Sequence, residues 1–261
     1  MLALVLAACE AQPTPFPVDL PSVPTSTPEP SIAAPIRYAL DANTLGYVAD
    51  IEMIEGSAQV EQLTEEINPN DFGNRYDIAA GYGVWSDWTR SPVIPHVALI
   101  LNDNAPPLDS LLLANVVRLS VNAEAIVAEL GIPGVVADES TASSVQTLRA
   151  ELANQGYPDG LKLTLAYAYT PGVVQLAHQL RAAGIEVQAA PMVDADIQAA
   201  LSEKWLHLAL VAWTTEEQRA TWAAQVGEEN VVNLYILPIS YRALPEFTIT
   251  FTPSGWPIAS H

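Results

Sequence analysis

Carboxylates dominate the chemistry this sequence could perform. Thirty acidic side chains stand against ten basic ones, two Lys and eight Arg, for a formal net charge of −20. The four histidines, His96, His178, His207 and His261, have no partner at metal-ligand spacing, and His207 sits in an apolar run that suits a hydrogen-bonded structural histidine. Asp194-Ala195-Asp196 lacks the glycine and the later glutamate of a calcium loop, so capping of a short helix by Asp194 or Asp196 accounts for it. Glu216-Glu217 could meet a ligand amine, although Thr214 three residues before Glu217 also makes a capping box. No pair among the acids stands out for glycoside hydrolysis. The sequence has no G-x-S-x-G elbow, Walker loop, H-E-x-x-H or Rossmann glycine fingerprint. These residue types point to recognition rather than catalysis, with no metal and no cofactor required.

Composition narrows the partners. Nucleic-acid affinity rests on Lys and Arg neutralising phosphates, and an anionic membrane surface makes the same demand, so the acidity argues against both. Half of the 261 residues are hydrophobic, enough for a substantial core. The single cysteine, Cys9, excludes a disulfide framework and a thiolate metal site. It closes the apolar run Leu2–Cys9, which resembles the tail of a bacterial lipoprotein signal peptide, with Cys9 as the lipidated residue and residues 1–9 as the remnant. Residues 10–35 are so dense in Pro, Ser and Thr that they read as an extended tether. A domain held outside the cell membrane by a lipid anchor alone is the expected consequence.

The elements that must position any binding residues begin at residue 36. Strands are expected at 36–40, 76–82, 95–101, 161–167, 185–189, 206–213, 231–237 and 247–251. Val48, Ile51, Ile54 and Ala58 mark one helical face. Leu112, Val116, Leu119, Ala123, Ile126 and Leu130 mark a longer one, interrupted near Asn122. Val145, Leu148 and Leu152 mark a helix stopped by Gly156 and Pro158, and Thr170-Pro171 reads as an N-cap and first-turn proline for the next. Such alternation predicts an α/β protein with largely parallel sheets, whose ligands bind beyond the carboxyl ends of the strands.

Five segments carry a family resemblance. "LILNDNAPPLDSLLLANVVRLSVNAEAIVAEL" (99–130), "LANQGYPDGLKLTLAY" (152–167), "LRAAGIEVQAAPM" (180–192), "LALVAW" (208–213) and "NLYILPISYRALPEFTITFTPSGW" (233–256) resemble, in order, segments of the family 5 extracellular solute-binding proteins. That family comprises the binding components of peptide, nickel and related ABC importers. The resemblance implies a type II periplasmic-binding-protein fold, two α/β lobes joined by a hinge, in a form about half the family's usual length. Lobe one would be residues 36–100 and 236–261, and lobe two residues 101–235, with the hinge near Asn102 and Leu237. The implied function is capture of a small, peptide-like solute by a monomer that feeds ABC permease subunits. Peptide-binding members often carry an Asp shortly after a tryptophan. This sequence reads Trp213-Thr214-Thr215-Glu216, which puts Glu216 forward as its substitute. Candidate ligand contacts at strand ends are Asn43, Thr44, Trp85, Asn102, Tyr169, Thr170, Trp213, Thr215 and Glu216. Two rival readings are a degenerate binding-fold lipoprotein serving as scaffold or sensor partner, and an extracytoplasmic hydrolase.

Overall fold

The computed structural model describes residues 35–261 apart from 45–47, 49, 66, 141 and 169, with the backbone alone at 43 and 69. Cys9, the tether before Pro35 and Tyr169 lie outside the described residues. The chain opens with β1 (Ile36–Leu40), α1 (Ile51–Glu55), β2 (Ala58–Gln62), β3 (Ile78–Tyr82) and β4 (Thr89–Arg90). It continues through β5 (His96–Leu101), α2 (Leu111–Leu119), α3 (Ala123–Leu130), β6 (Val136–Ala137) and α4 (Val145–Asn154). Strands and helices then alternate: β7 (Leu161–Tyr167), α5 (Val173–Ala182), β8 (Ile185–Pro191), α6 (Asp194–Ser202), β9 (Leu208–Trp213), α7 (Glu216–Val226) and β10 (Val231–Ile236). Three strands close the chain: β11 (Ile239–Ala243), β12 (Thr248–Phe251) and β13 (Pro257–Ser260).

These strands form two main sheets, ordered β2-β1-β3-β11-β4 and β6-β10-β5-β9-β7-β8, and a separate β12-β13 hairpin. Both sheets are mixed, which corrects the expectation of largely parallel pairing. In the larger sheet β7 runs parallel to β8 and β9, but β5 is antiparallel to both β9 and β10. The cause is the path between the sheets. The chain crosses along Ser91–Pro95, enters the larger sheet on β5, leaves it on β10 and returns along Leu237–Pro238. An entering strand and a leaving neighbour must run in opposite directions. The first crossing therefore precedes β5, not Asn102 at its far end, and the whole of β5 belongs to the larger sheet rather than to a lobe ending at residue 100. Two backbone hydrogen bonds tie the crossings together: Leu237 N donates to Pro95 O at 2.9 Å and Ser91 N to Ile239 O at 2.8 Å.

Local sequence explains most element boundaries. The break between α2 and α3 falls at Asn122, whose side chain caps α3 by accepting from Ala125 N at 2.8 Å. Helix α4 ends at Gly156, held at a φ of 92°, where Gly156 N meets Ala153 O and Tyr157 N meets Leu152 O. That paired bonding releases the chain into β7. The expected helix from Val48 to Ala58 is shorter than its pattern. It stops at Glu55, Ser57 N bonds back to Ile54 O, and Ala58 instead starts β2, which pairs in parallel with β1. In Ala58-Gln59-Val60-Glu61 a period of two outcompetes the helical period once β1 offers an edge. Among the described residues no single helix is long and apolar enough to cross a membrane.

An ion pair fixes β1 against the turn into β3. Asp77 Oδ2 accepts from Arg37 N at 2.9 Å and from Arg37 Nε at 3.0 Å, while Arg37 Nη2 bonds Asp77 Oδ1. The Arg37 guanidinium holds the Asp77 carboxyl below its usual range, against the opposing effect of partial burial. A depressed folded-state value stabilises above the unfolded value and loses that stabilisation as pH falls through the folded one. Asp77→Asn should therefore be less stable than the parent at pH 7, with the gap narrowing below about pH 4, the usual aspartate range. Urea midpoints at pH 7 and pH 3 measure it, and a gap independent of pH would refute it.

Candidate functional site

A cavity of about 250 Å³ opens between the two sheets, with Pro95 and Leu237 of the crossings in its wall. Its position derives from strand direction. Strands β7, β9 and β10 end on the crossing side, since Trp213 and Ile236 both pair with His96, the first residue of β5. Residues just past those carboxyl ends line the cavity: Ala168 and Thr170 after β7, Asp194 after β8, Thr214 after β9 and Leu237 after β10. From the smaller sheet comes Tyr82, the last residue of β3, and Asp50 joins it from the segment before α1. The β12-β13 turn closes the remaining side with Pro253, Ser254 and Trp256.

Hydrogen bonds hold these walls in place. Asp50 Oδ2 accepts from Ser254 N at 3.1 Å and from Ser254 Oγ at 2.6 Å. Thr214 Oγ1 donates to Pro253 O at 2.9 Å, joining the end of β9 to the hairpin turn. Trp256 is buried with its ring edge-on to Tyr82, 5.0 Å between centroids. Asp50 holds a left-handed backbone, φ 60° and ψ 23°, which an Asp tolerates better than most residues. Asp194 opens α6, and its carboxyl is raised above the usual range, first by desolvation and then by the charge on Asp50.

The candidate contacts divide. Thr170 and Trp213 line the cavity. Tyr169 lies outside the described residues, and Asn43 sits in a short 3-10 turn beside Thr44. Thr44 is fully buried, its hydroxyl bonded to Asp41 O, and it does not line the cavity. Trp85 folds back over Gly81 and packs against Trp88, 4.7 Å between ring centroids. Asn102 follows the far end of the antiparallel strand β5. There it is buried, and its Nδ2 donates to Leu201 O and Leu206 O, both at 2.9 Å, fastening the α6–β9 connection. Thr215, not Thr214, is the N-cap of α7, and the capping box pairs it with Gln218. That shift leaves Glu216 on the outer surface beside Arg219, 3.7 Å away.

Two other local expectations change. Asp194 and Asp196 are not caps: Val193 holds that position and Asp194 turns to the cavity. Thr170 is not an N-cap either, because Gly172 is, and the Thr170 hydroxyl bonds Ala168 O instead. His207 takes the structural role. Its Nδ1 accepts from Thr164 N at 3.1 Å, so Nε2 carries the proton and donates to Pro106 O at 2.9 Å. Sequence reasoning missed Asp50, Tyr82, Ser254 and Trp256. Tyr82 could have been found as the carboxyl end of an expected strand, whereas no local signal reveals that the C-terminal turn folds back onto the cleft. Among the described residues no three His, Cys, Asp or Glu side chains gather as a metal site.

No family model matches the sequence, and no curated protein matches it. Solved structures do. A dipeptide binding protein from Pseudoalteromonas sp. SM9913 in complex with Met-Leu is similar at a TM-score of 0.51 and 11% identity, over 77% of this chain and 57% of that one. The pheromone receptor PrgZ is similar at a TM-score of 0.52 and 11% identity, over 75% of this chain and 55% of that one. Haemophilus influenzae OppA in complex with the peptide RPPGFSPFR is similar at a TM-score of 0.50 and 12% identity, over 74% and 55%. The chain thus spans little more than half the length of the structures it matches. At such identities the likeness is one of fold: the α/β architecture of type II periplasmic binding proteins.

Proposed function

We propose that this chain is an extracytoplasmic solute-binding protein that captures a small solute in the cleft between its sheets and presents it to ABC permease subunits. The observation that carries the proposal is the placement of the cavity. It lies where two chain crossings join the sheets, beyond the carboxyl ends of strands, with aromatic, hydroxyl and carboxylate groups converging on it. A solute touching both walls stabilises the state in which the walls meet, and a permease can read that state. The cavity lies just below the lower end of the usual range for ligand sites, about 300–1,000 Å³, which favours a solute of one or two residues' size over a long peptide. The peptides bound by the similar structures support a peptide-like solute. A lipid on Cys9 would moor the protein, as a monomer, to the outer face of the cell membrane.

Thermal melting against peptides, amino acids, sugars and metal ions tests the reading. A specific solute at 100 to 1,000 times its dissociation constant should add about 3–4 kcal/mol of stability. No response to any solute would favour the scaffold. Turnover of a hydrolysable solute would favour the enzyme.

A further inference from the structure

We infer that Trp213 and Trp256 are hydrogen-bond donors to the solute, and that it offers their indole N–H groups the uncharged carbonyl oxygens of an amide. The inference rests on the solute-binding reading above and names the chemical class. Both side chains line the cavity, at 4% and 1% exposure. Among the described residues neither indole nitrogen has a hydrogen-bond partner. Nor is either one sealed in, as the unpaired Tyr38 hydroxyl and Gln225 Oε1 are. Two rings buried to that degree therefore keep their one polar atom in contact with open space, and the open space both border is the cavity. They come from separate elements, Trp213 from the end of β9 and Trp256 from the turn before β13.

Gln218, in the first turn of α7, adds a third donor. Its Oε1 accepts from Thr214 N at 2.8 Å and Thr215 N at 3.3 Å, and these two N–H partners fix which end of the amide is oxygen. Its Nε2 has no partner among the described residues, and the side chain lines the cavity. An indole nitrogen donates and never accepts, so only an acceptor satisfies it. A solute that displaces water from these donors without replacing its bonds forfeits affinity. A carbonyl oxygen brings two lone pairs and no hydrogen, whereas a hydroxyl needs an acceptor of its own. A carboxylate accepts as well, but the charged side chains in the lining, Asp50 and Asp194, are both acids, with no Lys, Arg or His beside them. Like charges brought together there oppose binding. The uncharged amide carbonyl meets both conditions.

Titration of the intact protein with N-acetylleucinamide tests this, with N-acetylleucine as the carboxylate match and 1,4-butanediol as the hydroxyl match. Calorimetry reads affinity, and nuclear magnetic resonance reads the indole N–H signals of the six tryptophans. The amide should shift the signals of Trp213 and Trp256, assigned from Trp213→Phe and Trp256→Phe. It should leave that of Trp222, which is as buried but does not line the cavity. Each of the first two variants should weaken amide binding at least tenfold, and Trp222→Phe less than twofold. Should a variant fail to fold, the number of parent signals that move, two of the six, still decides. The carboxylate and the diol should bind at least tenfold more weakly than the amide. Amide binding that moves neither signal, or equal losses in all three variants, would overturn the donor role. Equal binding of the carboxylate or the diol would overturn the carbonyl assignment. If the amide fails while another solute from the broader screen binds, the amide class falls and solute binding stands. If no solute binds, both fall.

Discussion

Trp256→Ala should cost about 3–5 kcal/mol of folding stability, the range for truncating a fully buried large aromatic. Trp256 is 1% exposed and belongs to the main core cluster together with residues of both sheets, among them Tyr38, Tyr82, Leu99 and Tyr235. Its ring meets Tyr82 edge-on, the arrangement in which the positive ring edge faces the negative π-surface. Its backbone is committed as well: Trp256 N donates to Thr252 Oγ1 at 3.0 Å, and Thr252 N donates to Trp256 O at 2.8 Å. Truncation leaves those bonds intact while emptying the space between the hairpin turn and β3. The cost is therefore one of cavity and lost contact, not of a broken turn. Trp256→Phe, which keeps an aromatic edge toward Tyr82, should recover more than half of the loss. Urea denaturation of both variants measures it. A loss under 1 kcal/mol for the alanine variant would mean that the C-terminal turn does not seal the core at this point.

Much of this fold was legible because local signals and tertiary demands agree. Asn122 both breaks a helical stripe and caps the next helix, and Gly156 and Pro158 mark the exit into β7 in residue types alone. Legibility failed where strand direction decided the outcome. Asn102 ends an aliphatic strand as ligand-binding residues do in a parallel sheet, yet β5 runs the other way and carries it to the far edge. The reverse holds for Asp194. Its type and position suited a helix cap, and only the parallel pairing of β7 with β8 brings the start of α6 to the cleft. Trp85 shows a third cause: two neighbouring tryptophans satisfied each other instead of a ligand. Period and capping are written within a few residues. The direction of a strand relative to a neighbour 100 positions away is not, and the site depends on direction.

Gly134→Ala should destabilise the protein by about 2–4 kcal/mol, combining left-handed backbone strain with a direct clash. Gly134 lies after α3 and approaches the segment leaving β3, where Val84 N donates to Pro133 O at 2.8 Å. This contact joins the sheets beside the return crossing, where Gly83 N donates to Pro238 O at 2.7 Å. A Cβ on Gly134 would sit 2.5 Å from Val84 Cγ2 and 2.8 Å from Val84 Cβ, and the glycine holds a φ of 77°. A β-branched side chain cannot turn its own Cβ aside, so the two segments must part and their hydrogen bond must stretch. Gly131→Ala separates the two causes. It shares the left-handed backbone, with a φ of 64°, but its Cβ would meet nothing within 4 Å, so it should cost only about 1–2 kcal/mol. Val84→Gly in the Gly134→Ala background should restore the clash portion and leave the backbone portion. If the proposed closure is real, Gly134→Ala should also weaken solute binding while Gly131→Ala does not, because only the former holds the walls apart. Equal stability losses for the two alanine variants, with no rescue from position 84, would show that this contact does not bear on the joining of the sheets.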